Sequence, residues 1–514
     1  KILSIVLGFS LLISSGCSHM LDTDPTNQVS GNIVFSDAQN ALSAINGIYR
    51  LMYTDDWGSS WAPENGGLPA FILVFDLMAE DRVMDGAGSG WFWYDYALDT
   101  WGDYVHRAGH QYQMWNFFYK LIANANYIIA QKDNIPGDQQ IVKYVVGQAY
   151  AVRSFAYMWL VQTYQQNDPS KPGVPIYTDP TYAGATGNPR GTVQNVYDQA
   201  NSDINDAIKL LEETTVSQMH KSHIDKYVAY GFKARHALVQ KDYETALAYS
   251  KKAMESPASI AQFSDVRHVN DISKRNIMWG LGIQPDQGIG NNGVYSHLDA
   301  NSKNTYSKAR HLISSWLYDN LSLTDQRRVW WTAPLPADQW GEAGSENGSR
   351  RSWCQTKHVF LDASAQTGDY ILMRLEEMVL IAAESACHLQ RFTEAREFIS
   401  MMGNMRDPNY QTRLSNFTNS KNYNSNTNGN LSTLMDEILF QRRVELWGEV
   451  PRLHDLQRLG LGFNRNYSGT NHTLKLGSIN TSAASPAFIL WIPQAEFDGN
   501  ENMDATTDQN PRQY

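Results

Sequence analysis

The chain is 514 residues long, 42% hydrophobic and 18% charged, and its 42 Lys and Arg against 53 Asp and Glu leave a net charge of −11. That balance argues against a nucleic-acid binder, which needs concentrated Lys and Arg to displace counterions, and against docking on an anionic membrane by charge alone. The length permits a large core, and 15 Trp with 27 Tyr supply flat apolar faces with polar tips, suited to interfaces and to polar ligands such as sugars.

The N-terminus reads as an address. Lys1 precedes the apolar run Ile2 to Ile13, which is followed by Ser14-Ser15-Gly16-Cys17. The run falls short of the ~20 residues that a membrane-crossing helix needs, so residues 1–16 are predicted to be a secretory signal. A cysteine directly after small residues resembles a bacterial lipobox, although Ser14 stands where Leu is commonest. Cys17 is therefore expected to be lipidated, several acyl chains together giving durable attachment. Residues 17–35, polar and containing Pro25, read as a tether. Three cysteines make no disulfide framework; Cys387 sits in an apolar helical run as a small hydrophobe, and nothing near Cys354 marks it as a nucleophile.

Beyond the tether, residues 36–514 read as a single all-α unit built from helix pairs. Ala38 to Tyr53 is amphipathic, with Leu42, Ile45 and Tyr49 on one side, and Trp115 to Gln131 repeats the pattern. Three further regions look like tetratricopeptide pairs. Val145–Tyr164 joins Val196–Leu211, Tyr227–Val239 joins Tyr243–Glu255, and Ile371–Leu389 joins Phe392–Met402. Ala237, Ala246 and Ala395 mark places where helices must approach closely, and Tyr243 and Phe392 lie near the turns. Such pairs cannot bury their apolar faces alone, so they stack. Long insertions interrupt the pairs over Asp76–Tyr104, Asp265–Arg310 and Trp330–Asp369, and the Asn/Ser-rich stretch Ser415–Leu431 reads as an exposed loop.

The insertions hold the candidate binding residues. Gly86, Gly88 and Gly90 allow a sharp loop, and Trp91, Phe92, Trp93, Tyr94 and Tyr96 follow at once. Alternation along an extended segment would put Trp91 and Trp93 on one side. A sugar ring packs its C–H face on an aromatic plane, while its hydroxyls need fixed polar partners; Asp81, Arg82 and Asp85 are candidates. In the second insertion, the amide-rich loop Pro285–Gly293 offers Asn291 and Asn292 and leads into Tyr295 and His297. Trp331 or Tyr295 would complete an aromatic arc. The competing reading places several of these rings in the scaffold core.

Signs of catalysis are absent. The GAGSGW run at Gly86–Trp91 lacks the Lys of a phosphate loop, and no G-x-S-x-G elbow occurs. His106 and His110 are four apart, but no third metal ligand accompanies them. A glycosidase carboxylate pair is defined by separation in space and leaves no sequence mark. No cofactor is expected; the oxygen-rich Asp498–Asp508 stretch allows a structural calcium ion without spacing ligands in a recognised way.

The most specific feature is Glu437–Arg458, EILFQRRVELWGEVPRLHDLQR. Met435, Leu439, Arg442 and Leu446 share one helix face, which puts a guanidinium inside an apolar stripe with Glu445 nearby to pair with it. The segment resembles the C-terminal signature of the SusD/RagB family, E-I-x-x-E-R-x-x-E-L-x-x-E-G-x-R-x-x-D-L-x-R, with Gln441 in place of a Glu and Val450 in place of the Gly. Leu21-Asp22 with Pro25, and Tyr119 through Asn126, resemble further family motifs. The family comprises outer-membrane nutrient-binding lipoproteins of Bacteroidetes. The resemblance implies a tetratricopeptide scaffold carrying a ligand-binding face, an oligosaccharide ligand and a SusC-like TonB-dependent channel as partner. It also implies a surface-exposed, lipid-anchored protein in the outer membrane that breaks no bond. A peptide ligand, as in RagB-like uptake proteins, and a lipid-anchored glycoside hydrolase are the alternatives. Substituting Cys17→Ala is expected to move the protein from the membrane fraction to the soluble one on fractionation; a fully membrane-bound variant overturns the anchor.

Overall fold

The computed structural model describes residues 35–511 except 56, 59–61, 89, 99–108, 166, 183, 304, 474–478 and 484. The N-terminal half runs α1 (Ala38–Leu51), α2 (Leu68–Leu77), α3 (Trp93–Ala97), α4 (His110–Ala130), α5 (Gln139–Tyr164), α6 (Val193–Glu213), α7 (Lys226–Val239) and α8 (Tyr243–Met254). The C-terminal half runs α9 (Tyr295–Leu298), α10 (Ser315–Asp319), α11 (Leu375–His388), α12 (Phe392–Gly403), α13 (Tyr410–Ser415), α14 (Leu434–Glu445), α15 (Arg452–Leu459) and α16 (Gln494–Gly499). Asp37, Asp138, Asp225 and Asp242 cap α1, α5, α7 and α8 by accepting from a first-turn N–H, and Thr192 and Thr433 open α6 and α14 with capping boxes.

The expected pairs form. Helix α5 packs on α6, α7 on α8 and α11 on α12, with α4 and α1 laid against α5. Close approach needs small residues, and the structure shows where. A Cβ on Gly147 would stand 2.9 Å from Leu211 Cγ, so only glycine lets α5 and α6 come this close. Ala237, Ala246 and Ala395 are buried at the other contacts. The α7–α8 and α11–α12 turns repeat one geometry. Lys241 and Gln390 both take positive φ (61° each), and the N–H of Asp242 and of Arg391 donates five residues back, to Ala237 and Ala386 (2.9 and 2.8 Å).

The third pair departs from expectation at its start. Tyr370–Arg374 is not helix but a strand. The strands are β1 (Arg82–Met84), β2 (Pro172–Pro175), β3 (Arg190–Thr192), β4 (Ile277–Leu281), β5 (His311–Ile313), β6 (Tyr370–Arg374), β7 (Phe463–Asn464) and β8 (Asn480–Thr481). They form four two-stranded antiparallel ladders, β1–β5, β2–β3, β4–β6 and β7–β8. Ile371 therefore serves a ladder with β4, which ties the second insertion to the scaffold. The largest hydrophobic cluster draws residues from Ala38 to Met503.

The signature segment forms α14, a turn and α15, and its charges are buried. Arg442 pairs with Asp455 (2.8 Å), not with Glu445 as the helix spacing predicts. Glu445 instead accepts from three arginines on other segments, Arg374 (2.9 Å), Arg406 (3.1 Å) and Arg327 (3.1 Å). Arg374 also grips Glu449 through two bonds (2.6 and 2.8 Å), and Lys357 reaches Glu449 at 2.6 Å. Burial works against the charge of Glu449, but Arg374 and Lys357 hold its carboxyl down at about 2. Arg458 bridges Asp455 and Glu384, closing the segment onto α11. The substituted Gly of the family pattern costs no turn, because Gly448 supplies the positive φ (79°) two residues before Val450. Removing one member of such a network unbalances the buried charge; without Glu445, Arg327, Arg374 and Arg406 keep one carboxylate each, Asp325, Glu449 and Glu376, but lose the acceptor they share. Glu445→Ala is expected to lower unfolding free energy by about 3–5 kcal/mol in urea denaturation; a loss under about 1 kcal/mol would show that water compensates the three arginines.

Candidate functional site

Strand β1 runs antiparallel to β5, with Arg82 opposite Ile313 and Met84 opposite His311. The loop leaving β1 and the segment entering β5 therefore emerge at one end. There the Asp85 N–H donates to Arg310 O (3.1 Å), and the Arg310 N–H and Nε donate back to the Asp85 carboxylate (3.1 and 2.7 Å). Arg351 approaches the same carboxylate at 3.5 Å and lays its guanidinium over the Trp340 ring at 3.5 Å. Arg310 Nη1 donates to Gly341 O (2.9 Å). All three insertions thus meet at Asp85.

Gly88 makes the aromatic loop possible. It takes φ of +54°, and a Cβ there would stand 2.6 Å from the backbone of Ala309. The loop then sets Trp91 edge-on to Tyr306 (6.1 Å between ring centres, 85°). Tyr306 stacks on His297 (5.1 Å), which meets the edge of Phe92 (4.9 Å). Phe92 is buried in the left-handed region (φ 60°), and its N–H donates to Glu64. The chain turns directly into α3, so the extended alternation expected for Trp91 and Trp93 does not occur. Trp93 packs on Tyr96 (5.8 Å), while Tyr94 is 56% exposed.

Five of the residues proposed as ligand contacts belong to the interior, which corrects that reading. Asp81 is buried against Arg443 (2.5 Å). Arg82 is buried between Asp76 (3.1 Å) and the ring of Trp447 (3.7 Å). The Tyr96 hydroxyl pairs with His472 (2.8 Å), under the guanidinium of Arg465. Tyr295 donates to Asp369 O (2.6 Å) and stacks on Tyr370. Trp331 is wedged edge-on between Trp330 and Trp447 in a second hydrophobic cluster. Asp81, Arg82, Tyr96 and Tyr295 find polar partners inside, which offsets the cost of burying them, whereas the Trp331 Nε1 has none and its ring is held by packing. Asn291 and Asn292 lie on a neighbouring loop. Asn292 donates to Asp55 (2.6 Å), and exposed Asn291 accepts from Gln366 (2.9 Å).

Trp91, Trp93 and Tyr94 remain at the surface, joined by residues that sequence reasoning did not single out, Tyr306, Arg310, Trp340 and Arg351. Trp340 is 38% exposed, in a polar stretch, residues 336–352, that holds no other large apolar side chain. An isolated Trp followed by Arg350-Arg351 was the available signal. Chemically, the face offers aromatic planes beside the Asp85–Arg310 pair, whose hydrogen bonds are made, and an Arg351 whose Nη1 has no protein partner, which suits holding a polar ligand more than moving protons. Among the described residues no group of three or more His, Cys, Asp and Glu could hold a metal ion. His106 and Cys17 lie outside the described residues.

Comparison with known families places this arrangement. Residues 79–238 match a family model described as starch-binding associating with outer membrane, and residues 295–512 match the model of the SusD family. The chain belongs to the SusD/RagB family. A SusD-like protein of Formosa agariphila is 26% identical over 394 residues, covering 68% of this chain and 72% of its own. A SusD-like carbohydrate binding protein from Bacteroides vulgatus shares the fold with a TM-score of 0.75 at 24% identity, over 91% of this chain and 98% of that one. The surface glycan-binding protein A of Bacteroides uniformis shares it with a TM-score of 0.66 at 17% identity, over 92% and 99%.

The aromatic loop is tied down by a buried charge. His110, at the start of α4, pairs through Nδ1 with Asp95 of α3 (2.9 Å), with Glu64 at 4.0 Å. Burial alone would lower its value, but Asp95 and Glu64 raise it to about 9. A folded value above the unfolded 6.5 contributes stability that is complete below about 6.5 and lost as pH rises through about 9. Hydrogen exchange of residues 85–98 is therefore expected to accelerate between those pH values beyond the intrinsic base catalysis, and His110→Gln should remove the excess. Protection unchanged past the upper value would dismiss the clamp.

Proposed function

We propose that this chain is a non-catalytic, cell-surface glycan-binding lipoprotein that captures an oligosaccharide and passes it to a SusC-like TonB-dependent outer-membrane transporter. One observation carries the reading, the face on which the Asp85–Arg310–Arg351 cluster carries Trp340 under Arg351 and the loop leaving Asp85 sets Trp91 against Tyr306. Ring planes match the C–H faces of sugars, and exposed polar edges match their hydroxyls. The family's starch-binding description and the carbohydrate- and glycan-binding relatives support this class of ligand. Residues 36–514 act in this reading as one binding unit.

Binding without catalysis follows from how the acid at the centre is held. Asp85 is engaged by Arg310 and Arg351, so its carboxylate oxygens are already taken up by cations of the protein. Attachment is assigned to a lipid on Cys17; no helix among the described residues is long and apolar enough to cross a membrane. Transfer to the channel is a hand-over of bound glycan, requiring only that affinity be modest.

Truncating a surface Trp at a binding face removes a major anchor. Trp340→Ala and Trp91→Ala are each expected to weaken glycan retention in affinity gels by roughly tenfold to a hundredfold. Trp340→Ala should leave the melting temperature within a few degrees of wild type. Unchanged retention by a folded Trp340→Ala protein sinks the assignment, and release of reducing ends from a polysaccharide panel would make the protein an enzyme.

A further inference from the structure

A cavity of about 560 Å³ shares no lining residue with the face around Asp85. It lies on the helical scaffold, between the connector after α6, the first turn of α7, the chain after α8 and Met278 of β4. Its size falls in the range of small-molecule sites, roughly 300–1,000 Å³, and accommodates one or two sugar rings. Its lining is mixed in a particular way. Asp225 presents a carboxylate whose bonds go to main-chain N–H groups, Val228 at 2.9 Å among them. Burial pushes that carboxyl up, while those main-chain bonds and then Lys221 and Lys226 pull it back. The Ser256 hydroxyl is enclosed without a protein partner. Lys221 donates to Ile277 O (2.7 Å), and the Lys226 ammonium stands over the half-buried Tyr227 ring at 5.1 Å.

The balance of these groups selects the ligand class. A strong anion site needs cations with free donors and no competing acid. Here Lys221 already serves a carbonyl, and Asp225 opposes Lys226. An apolar ligand would strip water from the open side of the Asp225 carboxylate and from the Lys226 ammonium and give nothing back, at a cost of kilocalories. A neutral polyol satisfies both, because each hydroxyl donates and accepts, and Tyr227 offers an aromatic surface for its C–H groups. We propose that this cavity is a second carbohydrate site, taking a mono- or disaccharide with Asp225 as hydroxyl acceptor, Lys226 as donor and Tyr227 as platform. A chain held at two points gains avidity through effective concentration without tighter contact at either.

The test reads the cavity directly and does not depend on the Asp85 face. Hydrogen–deuterium exchange of segments 214–228 and 256–258 is measured with maltose, cellobiose and laminaribiose, and with inorganic phosphate as the anionic comparison. At least one disaccharide is expected to slow exchange there, equally in wild type and in Trp340→Ala. Asp225→Asn keeps the helix cap but removes the charge, and should weaken that protection roughly tenfold. Lys226→Gln serves the same purpose should the first variant melt early. Protection by no disaccharide, protection indifferent to both substitutions, protection lost in Trp340→Ala, or protection by phosphate alone overturns the proposal. Loss of glycan retention in Trp340→Ala without any effect in these segments leaves the Asp85 face standing and removes only the second site.

Discussion

The fold hangs on a carboxylate with no access to water. Glu445 is 0% exposed, and three guanidiniums from Arg327, Arg374 and Arg406 converge on its two oxygens. Each ion taken out of water costs several kilocalories, repaid only if every lone pair and N–H finds a partner in good geometry. That condition makes the cluster cooperative. The 325–327 turn, β6 and the segment after α12 must all arrive before any of them is stabilised. A charge network of this kind is a poor source of stability and a strict selector of arrangement, because a misplaced strand leaves an ion bare.

The binding face inherits this strictness. Arg443 and Arg452 of the same signature segment hold Asp81 and Glu80, while Asp76 holds Arg82, so β1 is clamped on both sides. β1 fixes β5, and the two together bring Asp85 to Arg310. From there the aromatic loop has little freedom. Gly88 lies on Ala309, the Phe92 N–H is taken by Glu64, and His110 holds α3 through Asp95. Side chains that would contact a ligand are thus supported by groups that do not. A ligand meeting an ordered face loses less affinity to ordering it.

Much of this was legible in the sequence. The periodic runs from Ala38, Trp115, Val145 and Tyr227 all became helices, since amphipathic spacing reports burial directly, although the second and third begin earlier than read, at His110 and Gln139. The family signature identified the architecture for the same reason that Glu445 organises it. The binding residues were harder to read. Asp81, Arg82, Tyr96, Tyr295 and Trp331 have the chemistry of sugar contacts, and a hydrogen-bonded interior uses the same residue types. Only the partner decides, and the partners lie far off in sequence, His472 for Tyr96 and Asp369 for Tyr295. Trp340 was missed for the converse reason. Its role depends on Arg351 and Asp85 meeting it in space, and no local pattern announces that. Even Arg442, correctly placed inside an apolar stripe, found Asp455 across a turn before it found Glu445 along its own helix.

Gln441 shows how finely the buried charges are matched. Around Glu445 the cations Arg327, Arg374, Arg406 and Lys357 meet the carboxylates Asp325, Glu376, Glu445 and Glu449, four against four. Gln441 stands in their midst, where the family signature has Glu. Its amide oxygen accepts from Arg327 (2.5 Å), and its Nε2 donates to Glu437 (2.7 Å), which is itself paired with Arg413. A carboxylate in that place would face Glu437 across one helical turn and add a fifth negative charge to four cations. An amide keeps the bond to Arg327, turns the repulsion toward Glu437 into a hydrogen bond, and leaves the buried cluster neutral. The departure from the family pattern is therefore a rebalancing of this particular interior, and it belongs to the scaffold that carries the face, not to the face.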